Sequence, residues 1–283
     1  MLPPARRSHS SSAAHCLGVK CRCFGRVLSS PIDTFVKFAD GKLNVRKVFS
    51  KLGQPMLKNI FLWTLRSAVA FLLGSVMVVG LLRIVPPAIT PLMVWRLVQA
   101  PFTGRSMLIR HSWTSYDNIS PWVARGVVGG EDAGFMRHNG IDWNSVERAQ
   151  RVNASRAKRG KPPLGASTIT MQTCKNVFLV PWRSMIRKAF EVYFVYVTEA
   201  LWGKRRILEV YLNMIEWGDG VYGIGQGAKV SFGVEAKDLT RDQSARLAAI
   251  VPNPRRFSAV APSAYTLRRA SWIRGRMGVP VPK

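Results

Sequence analysis

The chain has 283 residues, with 42 Lys+Arg against 15 Asp+Glu, a formal charge of +27, and 47% apolar residues. That surplus selects an anionic partner, and the high apolar share favours a membrane surface over nucleic acid. No zinc-finger spacing and no RNP-type sequence is present, so no nucleic-acid partner is expected.

Residues 1–58 form a basic arm that is expected to be disordered. Its Cys16, Cys21 and Cys23 match no standard zinc spacing, and Cys174 stands alone in the rest of the chain, so no disulfide framework is expected. Residues 59–85 read as one transmembrane helix. The 24 residues between Lys58 and Arg83 span about 36 Å as a helix, enough to cross a bilayer. Arg66 lies near its start, where it can snorkel to the headgroups. Eleven Lys and Arg precede the span against Asp33 and Asp40, which places the N-terminus in the cytoplasm and residues 86–283 outside. The apolar stretch that follows, 86–102, is short for a second crossing. It reads as core or as an interfacial segment, with Trp95 at headgroup level and Arg96 reaching phosphates.

Beyond residue 115 helical signals dominate. Ser120-Pro121 is a cap and first turn for a helix through Val123, Val127 and Val128, and Gly129-Gly130 weakens it just before Glu131. Residues 151–165, small and basic with two prolines, are expected to be a loop. The spacing of Ile186, Phe190, Tyr193, Phe194, Val197 and Leu201 predicts a helix over 184–201, with Arg187, Lys188 and Glu191 off its core stripe. Ile207, Leu208, Tyr211, Leu212 and Ile215 predict another over 204–215. A third is predicted over 240–250, stopped by Pro252 and Pro254. No strand-like alternation of useful length occurs, so the domain is expected to be mainly α.

Taken singly, the candidate chemical residues have ordinary readings. Glu131 resembles any surface carboxylate, and Glu191 has Arg187 and Lys188 at helical spacing for a surface ion pair. "GASTITMQTCKN" (165–176) is a helix N-terminus capped by Ser167, or else a hydroxyl-lined floor with Lys175 aimed at an anion. Ser155-x-x-Lys158 fits a transpeptidase pattern but lacks partner motifs. "GIGQG" (223–227) follows a helical stretch rather than a strand, which argues against a dinucleotide loop.

In one order and at compact spacing, "EDAGFMRHNGIDW", "GASTITMQ", "RKAFE", "KRRILEVYLN" and "ARLAAIVPNPRRF" resemble the peptidoglycan glycosyltransferases of glycosyltransferase family 51. The anchored single-domain layout looks like the monofunctional biosynthetic members. The resemblance covers roughly residues 84–278 and implies a lysozyme-like helical domain with a small membrane-facing lobe. It implies polymerisation of lipid II with inversion and release of undecaprenyl pyrophosphate. Glu131 matches the family's catalytic base, and Glu191 its second essential glutamate. Asp132, Phe135, Arg148, Ser167, Thr168 and Gln172 match substrate-contact positions. Lys175 and Arg183 match the cations that stabilise the leaving diphosphate. No cofactor is implied as required, though the family can use a divalent cation such as magnesium; no metal cage is specified. Implied partners are lipid II and the growing glycan, anionic membrane lipids, and other cell-wall synthases, at a bacterial inner membrane with a periplasmic catalytic domain. Beyond Arg83 lie 29 Lys+Arg against 13 Asp+Glu, a surplus of 16 on a domain working on anionic lipid. Gln243 and Arg246 depart from the family's last motif. Two other readings stay open: a lysozyme-type glycan-cleaving enzyme and a catalytically silent cell-wall scaffold.

Overall fold

The computed structural model describes the backbone of residues 45–104, 107–182 and 184–283, and side chains from residue 56 onward. Two compact units divide the chain, Met1–Leu62 and Trp63–Lys283. In the first, the described residues are helical from Val45. The second is mainly α, as expected.

Helix α1 runs Val45–Leu82, so it begins before residue 59 and ends before residue 85. Residues 45–58, expected to be disordered, are therefore helical; residues 1–44 lie outside the described residues. Among the described residues, one stretch is long and apolar enough to cross a membrane, Met56–Leu82. Val69, Leu72, Leu73, Met77 and Leu81 are exposed along it, whereas Ser75 and Val79 are buried. The Ser75 hydroxyl is 2.7 Å from that of Tyr193. The Trp202 indole N–H donates to Val79 O at 2.8 Å.

Helix α2 (Pro91–Thr103) starts at Thr90, whose hydroxyl accepts from Met93 N, and ends at Gly104 in the left-handed region. It buries Met93 and Ala100 and leaves Val98 and Phe102 exposed. Then come α3 (Pro121–Glu131), α4 (Trp143–Lys158), α5 (Ile169–Phe178), α6 (Met185–Leu201) and α7 (Lys204–Met214). After them follow α8 (Ile224–Phe232), α9 (Arg241–Ile250) and α10 (Ala264–Gly275). Helix α7 is the hub. Ile207, Leu208, Val210, Tyr211, Leu212 and Met214 are all fully buried, each aliphatic side chain contributing about 1.5–3 kcal/mol of transfer free energy. Helix α5 packs on α6 and α7, while α9 packs on α3 and α10. Helix α9 opens on a capping box, in which Thr240 and Gln243 bond reciprocally.

Several expectations need correction. A small sheet exists: β1 (Arg110–His111) runs parallel to β3 (Val221–Tyr222), and β2 (Glu216–Gly218) antiparallel to it. "GIGQG" thus follows a strand. Its glycines serve packing: a Cβ on Gly223 would lie 2.7 Å from Ser112 O, and one on Gly225 2.5 Å from Thr114 Oγ1. Residues 151–158 belong to α4 and not to a loop. Asp142 caps that helix through Ser145 N at 3.0 Å, and Arg156 and Lys158 face the negative end of its dipole. Ser120 occupies the cap position of α3, but its hydroxyl donates to Leu239 O instead. Thr168, not Ser167, caps α5. On α6 the expected core stripe is only half right. Ile186 and Phe190 are exposed, while Glu191 is buried with Phe194, Val195 and Thr198.

Candidate active site

Glu131 is the last residue of α3, a helix seated by buried Val123, Val127 and Val128. The glycines before it allow close approach of the chain after α10: a Cβ on Gly129 would meet Arg276 O at 2.8 Å. Both carboxylate oxygens of Glu131 are held. Arg269 Nη2 donates to Oε1 at 2.8 Å and Gln172 Nε2 to Oε2 at 3.2 Å. The Gln172 amide is fixed in turn by the Tyr211 hydroxyl, which donates to its Oε1 at 3.1 Å. Burial, with Glu131 and Asp132 adding to it, raises the Tyr211 pKa well above that of a free phenol. The hydroxyl therefore keeps its proton and its role as donor.

Asp132 turns away from Glu131. Its carboxylate takes His138 Nε2 at 2.9 Å and the Ile169 backbone N–H at 3.0 Å, joining the turn after α3 to the positive end of α5. Thr168 accepts from Met171 N at 3.2 Å and donates to Gly140 O. Gly140 has φ +87, and a Cβ there would stand 2.4 Å from Val195 Cγ1. Phe135, matched to a substrate contact, is fully buried. Its ring lies against His138 and 4.6 Å from Lys204 Nζ, so it supports the turn, and it does not line the cavity beside Glu131.

Two cavities flank Glu131. A polar one of about 310 Å³ is lined by Glu131, Asp132, Asp142, Arg148, Ser167 and Thr168, among others. A second, of about 400 Å³, is lined by Arg96, Gln172, Lys175, Trp182 and Arg187, with Pro254 among the rest. Gln172 borders the second while its amide touches Glu131, so the Glu131–Gln172 pair stands between them. Lys175 lies one turn beyond Gln172 on the same face of α5. Burial lowers its pKa from the ordinary lysine range, and the charge of Glu191 opposes that fall.

Glu191 is buried and receives Arg187 Nη1 at 2.7 Å and Lys188 Nζ at 2.6 Å. The helical ion pair suggested by the spacing is formed, yet it is buried at the carboxylate and aims Arg187 at the cavity that holds Lys175. Arg183 lies outside the described residues. Arg96 is engaged within the protein: its Nη2 binds Glu216 at 3.1 Å, and Arg255 Nε shares that carboxylate at 3.4 Å. Cys174 is buried, its thiol pushed up to about 12 chiefly by burial. It is inert.

Sequence reasoning missed Arg269, Tyr211 and the cavity positions of Arg96 and Arg187. Arg269 is 138 positions from Glu131, and no local spacing connects them. Among the described residues no three His, Cys, Asp or Glu side chains form a metal cluster. Glu216, which lines the cationic cavity, is paired with Arg96 and Arg255, and Glu191 behind its wall is paired with Arg187 and Lys188. This donor set does not fit a protein-held divalent cation.

A family model described as transglycosylase matches residues 103–278. A biosynthetic peptidoglycan transglycosylase of Pseudomonas fluorescens is 44% identical over 222 residues, 78% of this chain and 91% of that protein. Proteins of the same name from Bacteroides thetaiotaomicron and Caulobacter vibrioides are 42% and 43% identical, over 80% and 77% of this chain and 90% of each of theirs. The match spans the polar cavity, all of the second cavity's lining except Leu92 and Arg96, and all the residues that hold Glu131, and on it the chain belongs to the transglycosylase family of glycosyltransferases.

Proposed function

We propose that the protein polymerises lipid II into β-1,4 glycan strands, with inversion at the anomeric carbon and release of undecaprenyl pyrophosphate. Peptidoglycan synthesis is the activity named for its relatives. The observation that carries the finer reading is the position of Glu131 between a polar cavity and a cationic one.

In this reading Glu131 accepts the proton of the acceptor sugar's 4-hydroxyl. The freed oxygen attacks the anomeric carbon of the donor from the face opposite its diphosphate. The bond from that carbon to the phosphate oxygen breaks, and its electron pair leaves with the lipid diphosphate. Arg269 and Gln172 hold the carboxylate in place, a task worth much when reacting atoms need sub-ångström placement. Lys175 and Arg187 meet the charge growing on the leaving group, joined by Arg183 as the family resemblance implies. Glu191 acts through Arg187 and Lys188 rather than on the sugar. Ser167, Thr168 and Arg148 supply the polar saccharide wall. Asp132 and Phe135 position the turn. The reaction drawn this way uses only side-chain cations, and a magnesium ion from solution would add to their charge without a protein cage.

The apolar helix fits a single-pass anchor, with the basic arm in the cytoplasm and the catalytic domain in the periplasm at the inner membrane. Residues 1–58, 59–85 and 86–283 then serve as arm, anchor and enzyme, with anionic lipids and other cell-wall synthases as neighbours. A lysozyme-type hydrolase is disfavoured, because Asp132, Asp142 and Glu191 are all engaged in hydrogen bonds or ion pairs and leave Glu131 without a free partner acid.

The test is to incubate the full chain with labelled lipid II. Long strands are expected, and Glu131→Gln should slow their formation by about 10²–10⁴-fold. Undiminished elongation by a folded Glu131→Gln chain overturns the reading. Shortening of preformed glycan would indicate a hydrolase, and no reaction by the folded wild type would indicate a scaffold.

A further inference from the structure

Helix α4 has no fully buried residue, an unusual state for a helix of 16 residues, and touches the core through the partly buried Val146 near its start. Between Glu147 and Lys161 the chain carries Arg148, Arg151, Arg156, Lys158, Arg159 and Lys161 against that one glutamate. Glu147 is spent on Arg151 at 3.1 Å, with both side chains mostly exposed.

The segment is nevertheless well fixed. Asn153 Nδ2 donates to Leu164 O at 3.0 Å, and its Oδ1 accepts from Leu164 N at 2.6 Å. Arg156 Nε donates to Pro162 O at 2.7 Å. The irregular segment that returns after α4 is thus strapped along the helix, and the pair forms a stiff prong.

At about 100° per residue, Arg148, Arg151, Ser155 and Lys158 fall within one sector of roughly 80°, a polar stripe about 15 Å long. It starts inside the polar cavity beside Glu131, because Arg148 and Ser167 line that cavity at the prong's base. All four residues are exposed. An amphipathic helix lying on a membrane needs an apolar face; here only Val152 and Trp143 are large, apolar and exposed. The exposed apolar cluster of Trp182, Met185, Ile186 and Phe190 belongs instead to the first turns of α6 and the residues just before it.

We propose that the α4 stripe binds the acidic stem peptides of peptidoglycan saccharides in the polar cavity, holding the strand by charge while the sugars sit beside Glu131. This rests on the transglycosylase reading. A polymer that presents carboxylates at regular intervals suits a row of flexible, solvated cations. Such contacts are weak singly, screened by salt, and able to slide. A strand must stay bound yet advance after every addition, and a tight pocket would hold it still.

The test uses the full chain and the double variant Arg151→Glu/Lys158→Glu, whose sites lie outside both cavities. The probes are soluble uncrosslinked glycan strands, intact or stripped of stem peptides by an amidase. Wild type should bind intact strands about threefold to tenfold more tightly at low salt. The double variant should lose that preference, as wild type should in about 0.5 M salt. Equal preference in wild type and variant overturns the proposal. So does unchanged preference accompanied by reduced binding of the variant to phosphatidylglycerol vesicles, which would make the stripe a lipid contact. The same assay on Glu131→Gln separates the two readings: strand binding is expected to persist there, whatever happens to turnover.

Discussion

Gln172 and Glu131 meet across 41 positions of sequence, amide nitrogen to carboxylate oxygen at 3.2 Å, and Tyr211 fixes the orientation of that amide. The relay ties the end of α3 to α5 and α7. Replacing Gln172 with Met should lower kcat by about tenfold with KM little changed, since the bond orients a base rather than binds substrate. Steady-state kinetics on lipid II checks this. A rise in KM alone would assign Gln172 to binding.

Tyr211→Phe removes the donor to Gln172 while keeping the ring in the core. About 1 kcal/mol of stability should be lost, with a smaller fall in kcat than for Gln172→Met. Thermal unfolding beside initial rates would show it.

Lys175 predicts the alkaline limb of activity. Burial lowers its pKa, so its charge, and with it diphosphate stabilisation, should be present at neutral pH and lost as pH rises. That loss should begin below the ordinary lysine value of about 10.4. Lys175→Arg should keep the charge and move the limb upward. A pH profile of kcat/KM, unaltered by the substitution, would place the titration elsewhere.

Asp142 caps α4, and its pKa is lowered mainly by the Ser145 hydroxyl. Its contribution is therefore present above the unfolded value of about 3.9 and fades as pH falls through the lower folded value. Asp142→Ala should destabilise by about 1 kcal/mol at neutral pH. The gap from wild type should close below about pH 4 in denaturant titrations.

Gly140→Ala should be far more damaging, by about 2–5 kcal/mol, because positive φ and the contact with Val195 act together. Circular dichroism melting would detect it before any assay of activity.

The helices easiest to read were those with a covered apolar face. For α7, every residue named from periodicity is buried. Helix α4 was mistaken for loop over 151–158 because a helix with no buried residue carries no stripe to detect. On α6 the period was right, but period alone does not say whether protein covers the face; Ile186 and Phe190 stay uncovered. Strands of two or three residues are too short to show alternation. Glu131 at a helix end was legible from the glycine pair. Its partner Arg269 was not, because that ion pair exists only once α10 folds back on α3.

One consequence follows from the last turn of α1. Trp202 holds Val79 O, and Arg206 holds Leu82 O at 2.9 Å while Glu209 steadies its guanidinium at 2.7 Å. No slack leash joins that turn to the body that carries the cleft. With α1 embedded as proposed, the cleft would keep a set height and tilt above the lipid, however the whole molecule turned or drifted in the plane of the bilayer. Each added sugar would then be drawn through a mouth held at constant depth.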